Sequence, residues 1–530
     1  MIKFGRGLSI GILLVSLLVS CGGNGEDVGT ARPAANDAVS QASPVYDESG
    51  LYDIPEIEPQ PESETEQTYD VVVIGAGGAG FSAAIAAADG GASVVILEQE
   101  NKVGGNTAWS GAGFDVPNNW VQEAQGIEDS VELYKEDTMR GGDYTNIEPL
   151  VDVFVTRALP TAEWLRDFVG VEIMDDFQKH FGGHTVARAL VVEGGIGSQM
   201  VYSMYVKAYE LGVDIKVNTQ ATALLTDESG RVTGVTAENR SDQTLTFNAN
   251  RGVVIASGGF AGNAEMRVAY REDLGESVRT TNAPGHLGSG ILMAEEIDAG
   301  TTHMEYIQTY PFCFPTTGRI SFVADTRMYG APMVNIDGQR FVNENDRRDV
   351  VSRMILAQPD GYGYMVWDKA IMDAARTLEV YGAEYELLVA DEVLIEAETL
   401  EEAAAFFGID QDGLAETIAN FNDYANDHLN NGTDTTVADK EWNRNATMAA
   451  VDEGPFYIQR VVPAVHHTMG GLSIDVEARV LDVNGNAIAG LYAAGEVVGG
   501  IHGSNRLGGN ALTDIVVFGK LAGETVLADS

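Results

Sequence analysis

Two adjacent histidines, an arginine and a crowd of glycines near the end of the chain set the first chemical constraint. His466-His467-Thr468-Met469-Gly470-Gly471 is followed further on by Gly500-Ile501-His502-Gly503-Ser504-Asn505-Arg506-Leu507-Gly508-Gly509-Asn510. Arginine offers a planar fork of donors that matches a carboxylate, and glycines let the backbone come close to a ligand. The run has the make-up of an anion clamp built against a flat cofactor. Taken alone it reads equally well as a glycine-rich loop with surface histidines, and a second, distant motif decides between the two.

That motif brings its own elements. Asp70-Val71-Val72-Val73-Ile74 is an apolar, β-branched run that predicts a strand, Gly75-Ala76-Gly77-Gly78-Ala79-Gly80 follows at once, and Ala-rich Phe81 to Asp89 reads as a helix. Strand, glycine turn and helix form a dinucleotide fingerprint, in which Gly75, Gly77, Gly78, Ala79 and Gly80 allow a tight turn and the helix N-terminus faces a pyrophosphate. A second strand, Ser93 to Leu97, ends in Glu98, an acid about twenty residues on that is placed to bind ribose hydroxyls.

A chain of 530 residues is long enough for two or three domains. Its 32 basic against 79 acidic residues give a net charge of −47, which argues against a nucleic-acid partner, because phosphate binding needs a basic stripe. Lys3 and Arg6 precede an apolar run, Leu8 to Val19, that is too short to span a bilayer and ends in Leu18-Val19-Ser20-Cys21. This resembles a bacterial lipoprotein signal over residues 1–21, with Cys21 taking the lipid and the mature protein anchored to a membrane outside the cytoplasm. Residues 22–68, rich in Gly, Ala, Pro, Glu and Ser, have the composition of a disordered tether. The one other cysteine is Cys313, so no haem-attachment motif or iron–sulfur ligand set is present and electrons are expected from a separate donor protein, flavin- or haem-bearing or quinol-linked. No metal-ligand spacing is apparent either.

In its order of motifs the chain resembles the fumarate reductase and succinate dehydrogenase flavoprotein superfamily, across nearly all of Tyr69 to Ser530. The matching pieces are Gly75 to Gly80, Gly104-Gly105-Asn106-Thr107, Ala256-Ser257-Gly258-Gly259-Phe260, Gly338-Gln339-Arg340-Phe341-Val342-Asn343-Glu344, His466 to Gly471, Ala494-Gly495-Glu496 and Gly503 to Asn510. The resemblance implies an α/β, Rossmann-like FAD-binding domain interrupted by an α+β capping domain, with FAD-binding parts at 69–304 and 466–530 and the cap at 305–465. It implies FAD contacts at the fingerprint glycines, Glu98, Gly104, Gly105, Asn106, Thr107, Gly111, Ala223, Gly258, Gly259, His467, Gly495, Glu496, Arg506, Ala511 and Leu512. With no histidine near Asn106-Thr107, the FAD is expected to be non-covalent.

The same resemblance gives Arg506 and His466 the role of a carboxylate clamp, Arg348 that of the proton donor to a substrate carbon, and Arg327 that of a relay. Reduction of an activated alkene needs those roles: a hydride at one carbon, a proton at its neighbour and cations that hold the carboxylate. The departures concern the far end of the substrate. Where fumarate reductases carry a histidine, Gln308-Thr309-Tyr310-Pro311 has a tyrosine, and Phe322-Val323-Ala324-Asp325-Thr326-Arg327 has valine and alanine in place of a threonine and a relay glutamate. Asp325 would repel a second carboxylate but would accept a hydrogen bond from a basic ring. Urocanate has one carboxylate, a conjugated double bond and an imidazole, so the Tyr310/Asp325 pair predicts a urocanate reductase that forms imidazole propionate. Phe114 and Asp115 fall near where members of that superfamily place a substrate-contacting apolar residue, a resemblance that would let Asp115 touch the same ring. Two alternatives stand beside this: a reductase of another acrylate-type acid (cinnamate, methacrylate, fumarate), whose apolar members would leave Asp325 unpaired, and a flavin-bearing electron-transfer lipoprotein without turnover.

Overall fold

The computed structural model describes residues 64–430, 439, 441–444 and 447–529. Cys21, the signal-like segment and most of the expected tether lie outside the described residues.

The chain enters an eight-stranded sheet by Glu66–Ile74 (β1), turns into the helix Gly78–Asp89 (α1) and returns by Val94–Leu97 (β2). The strand therefore begins inside the stretch expected to be tether. Glu66, Gln67 and Thr68 pair with Thr246, Phe247 and Asn248, so backbone hydrogen bonding recruits polar residues that composition assigns to a linker. Ile173–Lys179 (β3) belongs to a small three-stranded sheet. Asp214–Lys216 (β4), Thr219–Thr226 (β5), Val232–Asn239 (β6) and Thr244–Ile255 (β7) complete this first part. β1 lies between β2 and β7, parallel to both, and Val71, Val72 and Val73 are wholly buried. A strand covered on both faces reads as an unbroken apolar run, and each such side chain contributes about 1.5–3 kcal/mol by its burial.

The middle of the chain builds a second core. Ile307–Cys313 (β8), Met333–Val334 (β9), Gly363–Asp368 (β10), Leu394–Ala397 (β11) and Phe456–Thr468 (β12) form a five-stranded antiparallel sheet, accompanied by the helices Arg348–Leu356 (α2) and Thr377–Ala390 (α3). One buried cluster runs from Val71 to Ile307 and resumes at Val465, and the other holds Tyr310 to Ala464. The chain thus leaves the first core along β8 and re-enters it along β12, and the two strands pair with each other. The last segment, Arg479–Leu481 (β13), Ala487–Ala493 (β14) and the helix Asn510–Ala528 (α4), joins the first sheet, with β14 parallel to β7. Against α1 this last helix presents glycines: a Cβ on Gly519 would lie 2.5 Å from Ala79 O.

A segment of about two turns in the second core carries two of the charged residues singled out above. The 3-10 helix Val323–Tyr329 holds Asp325 and Arg327, and its N-terminal end is capped from α3: Glu384 accepts from Ser321 Oγ at 2.7 Å, Val323 N at 3.1 Å and Phe322 N at 3.2 Å. A carboxylate there satisfies donors that a helix start leaves open. The C-terminal end is held by Arg444, which donates to Arg327 O at 2.7 Å and is paired with Glu344 at 2.9 Å.

Candidate active site

Gly75 to Gly80 shape the first of two joined cavities. Gly75 has φ +102°, and a Cβ there would lie 2.5 Å from Ala256 O, so the turn itself requires glycine. Gly77 is different: a Cβ would meet nothing nearer than 3.9 Å within the protein, yet the residue lines the cavity. Its bareness serves something that lies in the cavity, at the N-terminus of α1. Glu98 is buried there, accepting from Ala76 N at 2.8 Å and Glu100 N at 2.9 Å, with its carboxyl raised by burial. Ser257 Oγ lines the same space, buried and with no hydrogen-bond partner. An open glycine, an acid at the end of β2 and an orphaned hydroxyl suit a dinucleotide with a pyrophosphate and ribose.

Of the expected cofactor contacts, Gly75, Gly77, Gly78, Ala79, Glu98, Gly105, Asn106, Thr107, Gly258 and Glu496 line this first cavity. Gly111, His467, Arg506, Ala511 and Leu512 line the second. Gly80, Gly104, Gly259 and Gly495 stand behind the wall: a Cβ would meet Val201 Cγ1 at 3.2 Å from Gly104, Glu496 Oε1 at 2.7 Å from Gly259 and Ala79 Cβ at 2.8 Å from Gly495. Ala223 is a correction. A bulge in β5 between Ala221 and Ala223 shifts the register, and Ala221 lines the cavity in its place. His286 was not legible in the sequence. It lines the cavity beside Gly105 and Gly258, and burial lowers its imidazole to about 4, which keeps it neutral.

The second cavity shares Asn106, Thr107, Glu496 and Ile515 with the first. Tyr310, Asp325, Arg348, His466 and Arg506 all line it. His466, on β12, engages Thr281 Oγ1 through Nδ1 at 2.8 Å, and its ring lies 5.1 Å from that of Tyr310 on β8. Arg506 is seated by its backbone, since Gln308 donates to Arg506 O at 2.7 Å. Arg348, the first residue of α2, stacks its guanidinium over the Tyr310 ring at 4.8 Å.

The two arginines and the imidazole are crowded together. Burial, with Arg348 nearby, lowers Arg506 to about 9, and burial with both arginines pushes His466 well below its ordinary range. Arg348 is lowered by burial, and the charge of Arg327 adds to this. Arg348 Nη1 and Arg506 Nε are buried with no hydrogen-bond partner. Buried donors without acceptors are costly, so this wall is shaped for an anion.

Asp325 and Asp115 differ from expectation. Arg327 donates to Asp325 Oδ1 at 2.6 Å and packs over Phe312 at 4.2 Å. Asp325 is therefore paired within the chain, and an apolar substrate would not leave it unpaired. Asp115 does not line the cavity. Its strand turns it inward, where its carboxylate faces His184 Nε2 at 3.2 Å. Arg327 lines a further cavity, shared with Arg348 and Arg506 but not with Tyr310 or Asp325. Phe322, which opens the segment holding Asp325, also lines the second cavity, as do Lys179 and Phe181, which no sequence motif marks.

With this geometry in place, the chain's relatives fall in line. The family described as FAD binding domain matches residues 70–512, and the chain belongs to the fumarate reductase and succinate dehydrogenase flavoprotein superfamily. It is a FAD-dependent oxidoreductase acting on carbon–carbon bonds. It is 42% identical to the urocanate reductase of Eggerthella lenta over 463 residues, which cover 87% of this chain and 74% of that one. It is 37% identical to a fumarate reductase (cytochrome) of Shewanella frigidimarina over 464 residues, covering 87% and 77%. Among solved structures, the open conformation of a flavocytochrome c3 fumarate reductase superposes with a TM-score of 0.72 at 34% identity, covering 87% of this chain and 78% of that one.

Proposed function

We propose that this enzyme reduces urocanate to imidazole propionate. One observation carries the reading: the second cavity gathers the guanidinium groups of Arg348 and Arg506 with the imidazole of His466, while its other polar groups include the phenol of Tyr310, the carboxylate of Asp325 and the ammonium of Lys179. Such a cavity takes a monocarboxylate with a hydrogen-bonding ring, and the similarity to a urocanate reductase supports the assignment.

FAD, when bound and reduced by the electron donor, would supply the hydride for one carbon of the double bond. The chain's own residues do the rest. Arg506 and His466 hold the carboxylate and stabilise the charge that gathers on it as the alkene is reduced. Arg348 gives a proton to the neighbouring carbon: its N–H bond breaks as the C–H bond forms, and one hydride plus one proton saturate the alkene. Arginine is ordinarily too weak an acid for this, and burial among like charges makes Arg348 a stronger one. The cavity it shares with Arg327 offers water a way to return the proton.

The deciding experiment is reoxidation of dithionite-reduced holoenzyme. Urocanate should reoxidise the flavin within turnover times while fumarate leaves it largely reduced, and faster reoxidation by fumarate would end the assignment. A second reading, an aryl acrylate such as cinnamate, is favoured by the Asp325–Arg327 pair and by Phe181 and Phe322 in the cavity wall. It predicts that cinnamate outpaces urocanate. Electrons are supplied by a separate donor protein, and lipid at Cys21 tethers the enzyme to a membrane outside the cytoplasm. Cys21→Ser should abolish incorporation of labelled fatty acid, and retained labelling would refute the anchor.

A further inference from the structure

Lys179 ends β3, in the FAD-binding part, and lines the substrate cavity. The groups around its ammonium come from the cap: it lies in the fields of Tyr381, Asp325 and Tyr329. Tyr381 sits where α3 departs from helical geometry, at φ −123° and ψ 27°, and its ring stacks on Phe322 at 5.6 Å with the planes 19° apart. Phe322 in turn lines the cavity with Asp325. An ammonium and a carboxylate are thus brought to one aromatic wall from two parts of the molecule.

A neutral imidazole carries one N–H donor and one bare nitrogen that accepts. Asp325 can accept only, and a lysine ammonium can donate only. We infer that Lys179 is a specificity-determining residue, donating a hydrogen bond to the bare ring nitrogen of neutral urocanate while Asp325 accepts from the ring N–H. The inference rests on the substrate reading above and adds to it the protonation state and tautomer of the ring. An imidazolium would bring a third cation to a wall where Lys179 and Arg327 already face Asp325, and it has no lone pair for Lys179 to meet. The aromatic ring of cinnamate lacks both hydrogen-bonding atoms.

The test is Lys179→Met in the full-length, FAD-loaded enzyme, assayed on urocanate and cinnamate with a reduced dye. The ratio of kcat/KM for urocanate to that for cinnamate should fall about tenfold, through KM rather than kcat, the loss of one charge-assisted hydrogen bond. Lys179→Arg should recover most of the ratio, because it restores a cationic donor. In the wild type, the urocanate KM should rise as pH falls through the imidazole range near 6.5, and Lys179→Met should blunt that rise. An unchanged ratio, or equal losses on both substrates, would overturn the inference and leave Lys179 as a strut between cap and FAD-binding part. If Lys179→Met loses flavin, Lys179→Gln replaces it in the same assay. Wild-type enzyme that reduces cinnamate but not urocanate overturns the substrate reading itself, a result visible before any variant is made.

Discussion

The two ends of the substrate cavity are built on opposite electrostatic plans. At the carboxylate end, Arg348, Arg506 and His466 crowd together, with Arg348 Nη1 and Arg506 Nε buried and lacking hydrogen-bond partners. At the far end, Asp325 is already held by Arg327 at 2.6 Å and has Lys179 close by. One end offers donors that no group of the chain accepts, and the other pairs its charges within the chain. On the proposed function, affinity for a carboxylate and the chemistry of the double bond belong to the first. Discrimination among tails belongs to the second, where a ligand must exchange existing partners for new ones.

Substitutions at the two ends should therefore fail differently. The largest effect is expected from Arg348→Ala, which removes the proton donor: kcat should fall by about 10²–10⁴-fold with flavin content retained, measured by steady-state turnover and the flavin spectrum. A loss confined to KM would move Arg348 from donor to clamp. Next comes Arg506→Met, for which KM should rise about 10–100-fold on every enoate, the worth of a charged hydrogen bond. A change for urocanate alone would erase the distinction between the ends. Asp325→Ala should cost about tenfold in kcat/KM on urocanate, much less on cinnamate, and nothing in flavin content. Unchanged urocanate kinetics would remove Asp325 from recognition.

The smallest effect concerns the cap that holds the far end in place. Burial raises Glu384 to about 7 from an ordinary 4.5. A carboxyl raised on folding contributes its full stability below about 4.5, and that contribution is lost as pH rises through about 7. In Glu384→Gln, the fall in melting temperature between pH 5 and 8 should be shallower than in the wild type by roughly a few degrees. Parallel curves would show that Glu384 does not titrate in that window.

What the sequence made legible follows from how local each signal is. The fingerprint at Gly75 to Gly80 is a single strand–turn–helix whose spacing is set by one ligand contact, and Glu98 follows from the length of that unit. The clamp residues sit in glycine-rich runs that advertise themselves. Lys179 had no such marker, because β3 reads as an ordinary polar strand and its partners arrive from α3 and the 3-10 helix, far away in the chain. The pairing of Asp325 with Arg327, two residues apart, turns on a 3-10 helix that no periodicity reveals. Ala223 was misplaced by a single bulge, a one-residue event with no composition of its own.

The first cavity draws its walls from residues near 74–107, 219–221, 256–293 and 494–515, and β14 and α4 join the sheet and cover α1. Stretches far apart in the chain thus meet around one space, so a bound dinucleotide ties them together and stabilises the folded first core by mass action.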